Sequence, residues 1–346
     1  MDFDLSPEQS AIQGGTRAFL SVRSDLRAVR GHAENGTYDP DLWTAIVAQG
    51  WTGIAVPEEE GGAGLGHVEM ALVAEEFGYA CVPSPFFSNT AAILMLAAGS
   101  AEQRRRWLPG LLAGTGLGAV GVVTRDGSAL VPDAADAAVL VLVDGERAKL
   151  VVRAEAEVEP VGAIDITRPY FRVRADAGED LSGDVAGALD TVEVLLSAEI
   201  TGVAARAMDM AVEYAKQRTQ FDRPIGAYQA VSHRCADMLL AVESARSATY
   251  FAAWTADADP VALAQAAAVA KATAAETGWR VTSSALQVHG GIGFTWEHDL
   301  QFFLKRAAAD ARLFGSVAAH RDRVAAGFGL DGDSAARPAQ LAAAGV

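Results

Sequence analysis

The first 115 residues repeat apolar positions with a helical period, so this stretch is read as a helical domain over 1–115. Ser6, Pro7 and Gln9 open its first helix: the serine can cap, the proline suits the first turn, and the glutamine completes a capping box. Asp39-Pro40-Asp41 starts another helix, with Gly50 at its C-terminal cap. Residues 57–66 are rich in glycine and read as a loop. Met70, Leu72, Val73 and Phe77 then give 67–79 an apolar helical face, and further helices are predicted over 86–98 and 101–112.

The texture changes near Thr115. Short β-like runs at 118–123, 138–143, 149–152 and 170–173 are separated by turn pairs such as Asp126-Gly127 and Asp144-Gly145. They predict a small antiparallel β-domain over 116–184. Helical periodicity returns and predicts four long helices. One ends at Arg218, one covers 229–255, an alanine-rich one covers 261–288 and stops at Gly290-Gly291, and one runs from Glu297 to Leu313 and beyond. Short connections make these an antiparallel bundle, assigned to 185–330. The remaining residues, 331–346, are read as a flexible tail. The fold class is therefore mainly α with a small β-domain.

Charge and composition narrow the function. The 346 residues carry a net charge of −16, which disfavours nonspecific binding to nucleic acid or to an anionic membrane. Arg104, Arg105 and Arg106 are too short a run to reverse that and read as a solvated helix face. Cys81 and Cys235 supply neither a disulfide framework nor metal-ligand spacing, and the six histidines include no His-Glu-x-x-His pair. No metal is expected. The acidic start, Met1-Asp2-Phe3-Asp4, does not resemble a secretory signal, and no apolar run reaches membrane-spanning length. A cytoplasmic, reducing compartment is the expectation.

Two stretches carry the candidate chemistry. Gly290, Gly291 and Gly293 follow a helix rather than a strand and lack the context of a phosphate loop. Alone they read as a helix C-cap, although glycines also let a backbone or a pyrophosphate approach closely. Gln287 adds an amide one turn earlier. Arg218 sits where a long helix meets a loop, either as a cation favoured by the helix dipole or as a fork for phosphate oxygens. Phe221 offers an apolar wall, Pro224 stiffens the loop, and Gln229 begins the next helix.

In order, Arg218-x-Gln220-Phe221-x-x-Pro224-Ile225, then Gln229, then Ala236-Asp237-Met238, then Gln287-x-x-Gly290-Gly291-x-Gly293-Phe294 and Glu297 resemble the C-terminal signatures of the acyl-CoA dehydrogenase family. Pro57-Glu58, Gly61-Gly62, Gly64, Glu75-Glu76-Phe77, residues 99–103 and Trp107-Leu108-Pro109 are similar to its first domain more loosely. The resemblance implies a helical domain, a β-domain and a helical bundle, assembled as a tetramer. It also implies FAD, an acyl-CoA substrate undergoing α,β-dehydrogenation, and an electron-transfer flavoprotein as acceptor. By the resemblance, Arg218, Gln220, Phe221 and Gln229 would touch an FAD bound mainly by a neighbouring subunit. Gln287, Gly290 and Gly291 would lie along its pyrophosphate and adenosine.

The chain departs from that pattern where the family holds its flavin ring and its base. The β-domain of the family carries Thr-Glu-x-x-x-Gly-Ser-Asp and then Trp-Ile-Thr/Ser. Here Thr124, Gly127 and Ser128 survive, while the glutamate, the final aspartate and the tryptophan strand do not, and the domain is short. The Tyr-Glu-Gly-Thr turn of the family is matched by Leu313-Phe314-Gly315-Ser316, which has no carboxylate. A second family position for the base falls at Val192, beside Glu193, and Glu193 is read as a solvated helix charge because one residue turns a side chain by about 100°. No catalytic residue is assigned. The implied reading is the non-catalytic subunit of an α2β2 heterotetramer, completing the FAD site of a longer, base-bearing dehydrogenase subunit, as in bacterial steroid side-chain degradation. A self-sufficient homo-oligomer with an atypical base, and a flavin-free scaffold, are the alternatives.

Overall fold

A computed structural model describes residues 4–330, and the tail assigned to 331–346 lies outside the described residues. The chain opens with six helices: α1 (Pro7–Arg23), α2 (Leu26–Asn35), α3 (Pro40–Ala48), α4 (His67–Ala80), α5 (Phe86–Leu96) and α6 (Ala101–Leu112). Ser6 accepts from the backbone N–H of Gln9 while the Gln9 side chain accepts from Ser6 N–H, so the capping box forms as the sequence predicts. Helix α2 escaped the periodicity reading. Its signals are its caps: Asp25 accepts from Ala28 N–H, and Gly36 closes the other end at φ 62°.

Seven strands follow: β1 (Gly118–Val122), β2 (Ala129–Pro132), β3 (Val139–Asp144), β4 (Arg147–Val152), β5 (Glu157–Val161), β6 (Tyr170–Arg174) and β7 (Glu179–Asp180). They form two sheets, ordered β1-β3-β4-β7 and β2-β6-β5. Pairing is antiparallel except that β1 runs parallel to β3, with Gly118 opposite Val139 and Val122 opposite Val143. Strand β3 is buried on both faces. Leu140 and Leu142 meet Val131 and Val173 of the other sheet, while Val139, Val141 and Val143 join the main helical core. That two-sided burial explains the unbroken apolar run at 138–143.

The C-terminal helices are α7 (Val185–Gln217), α8 (Gln229–Ala258), α9 (Leu263–His289), α10 (Leu300–Asp310) and α11 (Val317–Gly327). A two-residue hairpin, β8 (Thr219–Gln220) and β9 (Arg223–Pro224), lies between α7 and α8. The predicted fourth long helix is two helices instead. Phe314 at φ 60° and Gly315 at φ 119° leave the helical region, and Ser316 recaps the chain by accepting from Ala319 N–H. Helices α4 and α7 cross backbone to backbone. A Cβ on Gly202 would sit 1.8 Å from the Glu75 carbonyl oxygen, and one on Gly78 would sit 2.0 Å from that of Glu199. Among the described residues no helix is long and apolar enough to cross a membrane.

Candidate functional site

The residues singled out from sequence gather at one end of the bundle, where α7 gives way to the β8–β9 hairpin and α9 to the glycine turn. Ile225 N–H donates to the Arg218 carbonyl at 2.8 Å, and the Tyr228 hydroxyl donates to the Gln220 carbonyl at 3.0 Å. Together these hold the hairpin against the start of α8. Its two turn residues, Phe221 at φ 53° and Asp222 at φ 61°, are both left-handed, a conformation that ordinarily selects asparagine and glycine. Phe221 is 87% exposed at the tip. Such strain persists only where surrounding structure holds it.

Arg218, Gln220 and Gly291 line one open groove of about 390 Å3 together with Tyr214, Ile225, Val288, His289 and Ile292. The exposed Arg218 side chain makes no ion pair among the described residues. Gln220 spends its amide on the Thr219 carbonyl at 2.9 Å. Gly290 stands at φ 63°, ψ −139°, a region closed to residues with a Cβ, and nothing lies within 4 Å of where a Cβ on Gly290 or Gly291 would project. Gln229 and Gln287 are exposed nearby but do not line the groove.

A second groove of about 460 Å3 continues along α7 and shares Tyr214 and His289 with the first. Tyr214 stacks on His289 at 4.6 Å between ring centroids, and His298 meets His289 edge-on at 4.5 Å. Burial pushes both histidines below the ordinary imidazole range, and the neighbouring His289 pushes His298 further in the same direction. Sequence reasoning passed over these three rings. His289 lay inside a quoted motif, yet only the fold brings it against a residue of α7.

The stretch matching the family's ring-binding segment is closed on itself. Thr124 Oγ donates to Asp126 at 2.6 Å, Ser128 Oγ donates to the same oxygen at 2.8 Å, and Ser128 N–H joins them at 3.1 Å. These bonds hold the Asp126 carboxyl well below the usual range. Both surviving hydroxyls are thus engaged within the exposed turn itself.

The places where a base was sought are filled. Phe314 is buried against Phe87 at 6.3 Å, and Arg168 lies over the Phe87 ring at 4.6 Å. Arg168 donates to Glu199 at 2.6 Å and to Asp310 at 3.0 Å, while Arg306 binds Asp165 at 2.7 Å and Glu199 at 2.6 Å. Glu193 is not a solvated charge as expected. Its position on α7 faces α9 and α11, so it is fully buried and accepts from Arg323 at 2.7 Å, with His320 at 3.7 Å. Burial raises its carboxyl to about 7. Among the described residues no cluster of His, Cys, Asp and Glu could hold a metal ion.

Comparison with known proteins decides the family. Residues 6–115 match the acyl-CoA dehydrogenase N-terminal domain and residues 185–329 the C-terminal domain. The acyl-CoA dehydrogenase IpdE2 of Mycolicibacterium smegmatis is 36% identical over 314 residues, covering 90% of this chain and 96% of that protein. This chain belongs to the acyl-CoA dehydrogenase family. The family's members oxidise the CH–CH bond of acyl-CoA thioesters. IpdE2 of Mycobacterium tuberculosis is likewise 36% identical, across 86% of this chain and 87% of its own length. Among solved structures, the Tcur3481–Tcur3483 steroid ACAD superposes with a TM-score of 0.85 at 26% identity, covering 93% of this chain and 98% of that one. The ChsE4–ChsE5 complex from Mycobacterium tuberculosis superposes at 0.86 with 24% identity, covering 96% and 100%, a likeness of fold.

Proposed function

We propose that this acyl-CoA dehydrogenase is the non-catalytic subunit of a heteromeric enzyme and completes the FAD site of a longer, base-bearing subunit. The observation that carries the reading is a mismatch between two halves of the chain. The outward half-site is open: among the described residues the Arg218 side chain makes no ion pair, and no atom crowds the Gly290-Gly291 turn. The inward half-site is shut, with Thr124 and Ser128 bonded to Asp126 and Phe314 packed on Phe87.

The residues fit one half of FAD. A guanidinium fork suits diphosphate oxygens, and glycines without Cβ atoms let a diphosphate approach the α9 turn. Arg218, Gln220, Phe221 and Gln229 would hold the cofactor from one side, and Gln287, Gly290 and Gly291 from the other. The ring half does not fit this chain's own β-layer, because the hydroxyls that would face it are already bonded. When bound in the assembly, FAD supplies the hydride acceptor for α,β-dehydrogenation of an acyl-CoA. This chain's part is to bind and orient it. The partner would supply the base.

The relatives support a steroid-type substrate and a two-chain assembly: one neighbour is described as a steroid ACAD, and another is a complex of two named chains. We accordingly propose a steroid side-chain CoA ester, an α2β2 heterotetramer, an electron-transfer flavoprotein as acceptor, and a cytoplasmic location. A visible spectrum tests the core of this. The chain purified alone is expected to be colourless, and the chain co-expressed with its longer partner to carry one flavin per pair. A fully flavinylated chain on its own would sink the shared-site reading.

A further inference from the structure

A third cavity, of about 390 Å3, lies where α1, α2, α4 and α7 meet, and it shares no lining residue with the groove that holds Arg218 and Gly291. Leu20, Leu26, Ala80 and Tyr79 supply apolar lining. Two guanidiniums lie against the Tyr79 ring: that of Arg17 is 4.0 Å from its centroid and that of Arg206 is 5.2 Å away. Arg206 donates to the Tyr79 hydroxyl at 3.4 Å, and the hydroxyl donates onward to Asp209 at 2.8 Å.

The carboxylates of this lining are already committed. Glu76 takes Arg17 through both oxygens, at 2.6 and 3.0 Å, Asp299 takes Arg30 at 2.6 Å, and Asp25 accepts from Ala28 N–H at 2.9 Å. Arg206 and Arg27 also line the cavity, yet neither makes an ion pair among the described residues. Donors are therefore to spare where acceptors are not. A guanidinium fork matches a carboxylate, and an apolar lining of this volume suits a small organic body. A bare phosphate would leave the apolar lining unused, a neutral hydrocarbon would leave Arg206 unanswered, and a cation would meet the arginines.

We propose that this cavity binds a small carboxylate with an apolar body, its head group on Arg206 and its body against Tyr79, Leu20 and Leu26. The site is independent of the shared-FAD reading, since none of its residues belongs to the cofactor groove. An occupant would touch four helices at once and would bind the folded chain alone, so it stabilises the fold by mass action.

The test titrates the full chain by calorimetry with decanoate, 1-decanol and inorganic phosphate, with the thermal midpoint read in parallel. Decanoate should bind saturably, raise the midpoint, and bind about tenfold more tightly than either 1-decanol or phosphate, the scale of one hydrogen bond to a charged group. Arg206→Gln should bring decanoate down to the level of 1-decanol. Ser21→Trp, which sets a large ring on the exposed α1 side of the lining, should weaken both. Equal binding of decanoate and 1-decanol would overturn the head-group assignment, and phosphate binding as tightly as decanoate would overturn the apolar body. No saturable binding of decanoate, or binding untouched by Ser21→Trp, would overturn the site. The comparison of the three probes on the unaltered chain stands by itself should Arg206→Gln not fold.

Discussion

Arg323 on α11 reaches across to Glu193 on α7, with Nη1 2.7 Å from Oε2, and its other nitrogen binds Asp190 one turn away. One cation thus neutralises two carboxylates that the fold has buried. Removing it strands both, which typically costs about 3–5 kcal/mol. Arg323→Ala should lower the unfolding free energy measured by urea titration on that scale, whereas Glu193→Gln should cost much less. Glu193→Gln should also leave turnover of the assembled enzyme nearly intact. A collapse of turnover with flavin still bound would make Glu193 the base.

His320 predicts an acid limit on stability. Its ring is buried beside Lys271 and Arg323, its Nε2 has no hydrogen-bond partner among the described residues, and burial first and then those cations push it down to about 3. An unfolded histidine titrates near 6.5. Between those values the unfolded chain takes up a proton that the folded chain refuses, so stability is full above 6.5 and lost as pH falls toward 3. The loss from this one group is at most about 1.4 kcal/mol per pH unit. Glu193 and Asp310, both raised by burial to about 7, act in the opposite sense across part of the same window. Comparison with His320→Gln isolates the histidine: its thermal midpoint should fall less steeply from pH 6.5 to 4 than that of the unaltered chain. Parallel curves would refute the assignment.

Arg218 separates stability from binding. Its side chain is exposed and makes no ion pair among the described residues, so Arg218→Ala should change folding stability by no more than about 0.5 kcal/mol. Flavin retained by the complex through gel filtration should nevertheless drop several-fold. Retention equal to that of the unaltered complex would remove Arg218 from the cofactor site.

The hairpin tip offers a test with opposite signs. Phe221 and Asp222 both hold positive φ, at a cost of order 1 kcal/mol or more each. Replacing them by Phe221→Asn and Asp222→Gly supplies residues that favour this turn and should raise the thermal midpoint. The same change deletes the exposed ring and should weaken flavin retention. A midpoint that falls would mean that the Phe221 side chain stabilises the hairpin by contacts beyond its turn.

Local rules made much of the fold legible. A capping box depends on residues three apart, so Ser6 and Gln9 announced α1 before any packing was known. The valine and leucine run at 138–143 announced a strand, and the order of motifs from Arg218 to Gly293 carried the family resemblance. Other features depend on which distant surfaces meet. The parallel pairing of β1 with β3, the break at Phe314-Gly315, and the stacking of Tyr214 on His289 are settled by elements far apart in the chain. Glu193 shows the limit most plainly. Sequence alone determined that a carboxylate stands on a long helix beside Val192. Tertiary structure decided its chemistry, because only the approach of α9 and α11 excludes water from it and supplies Arg323, and burial with a paired cation reverses what a solvated glutamate would do.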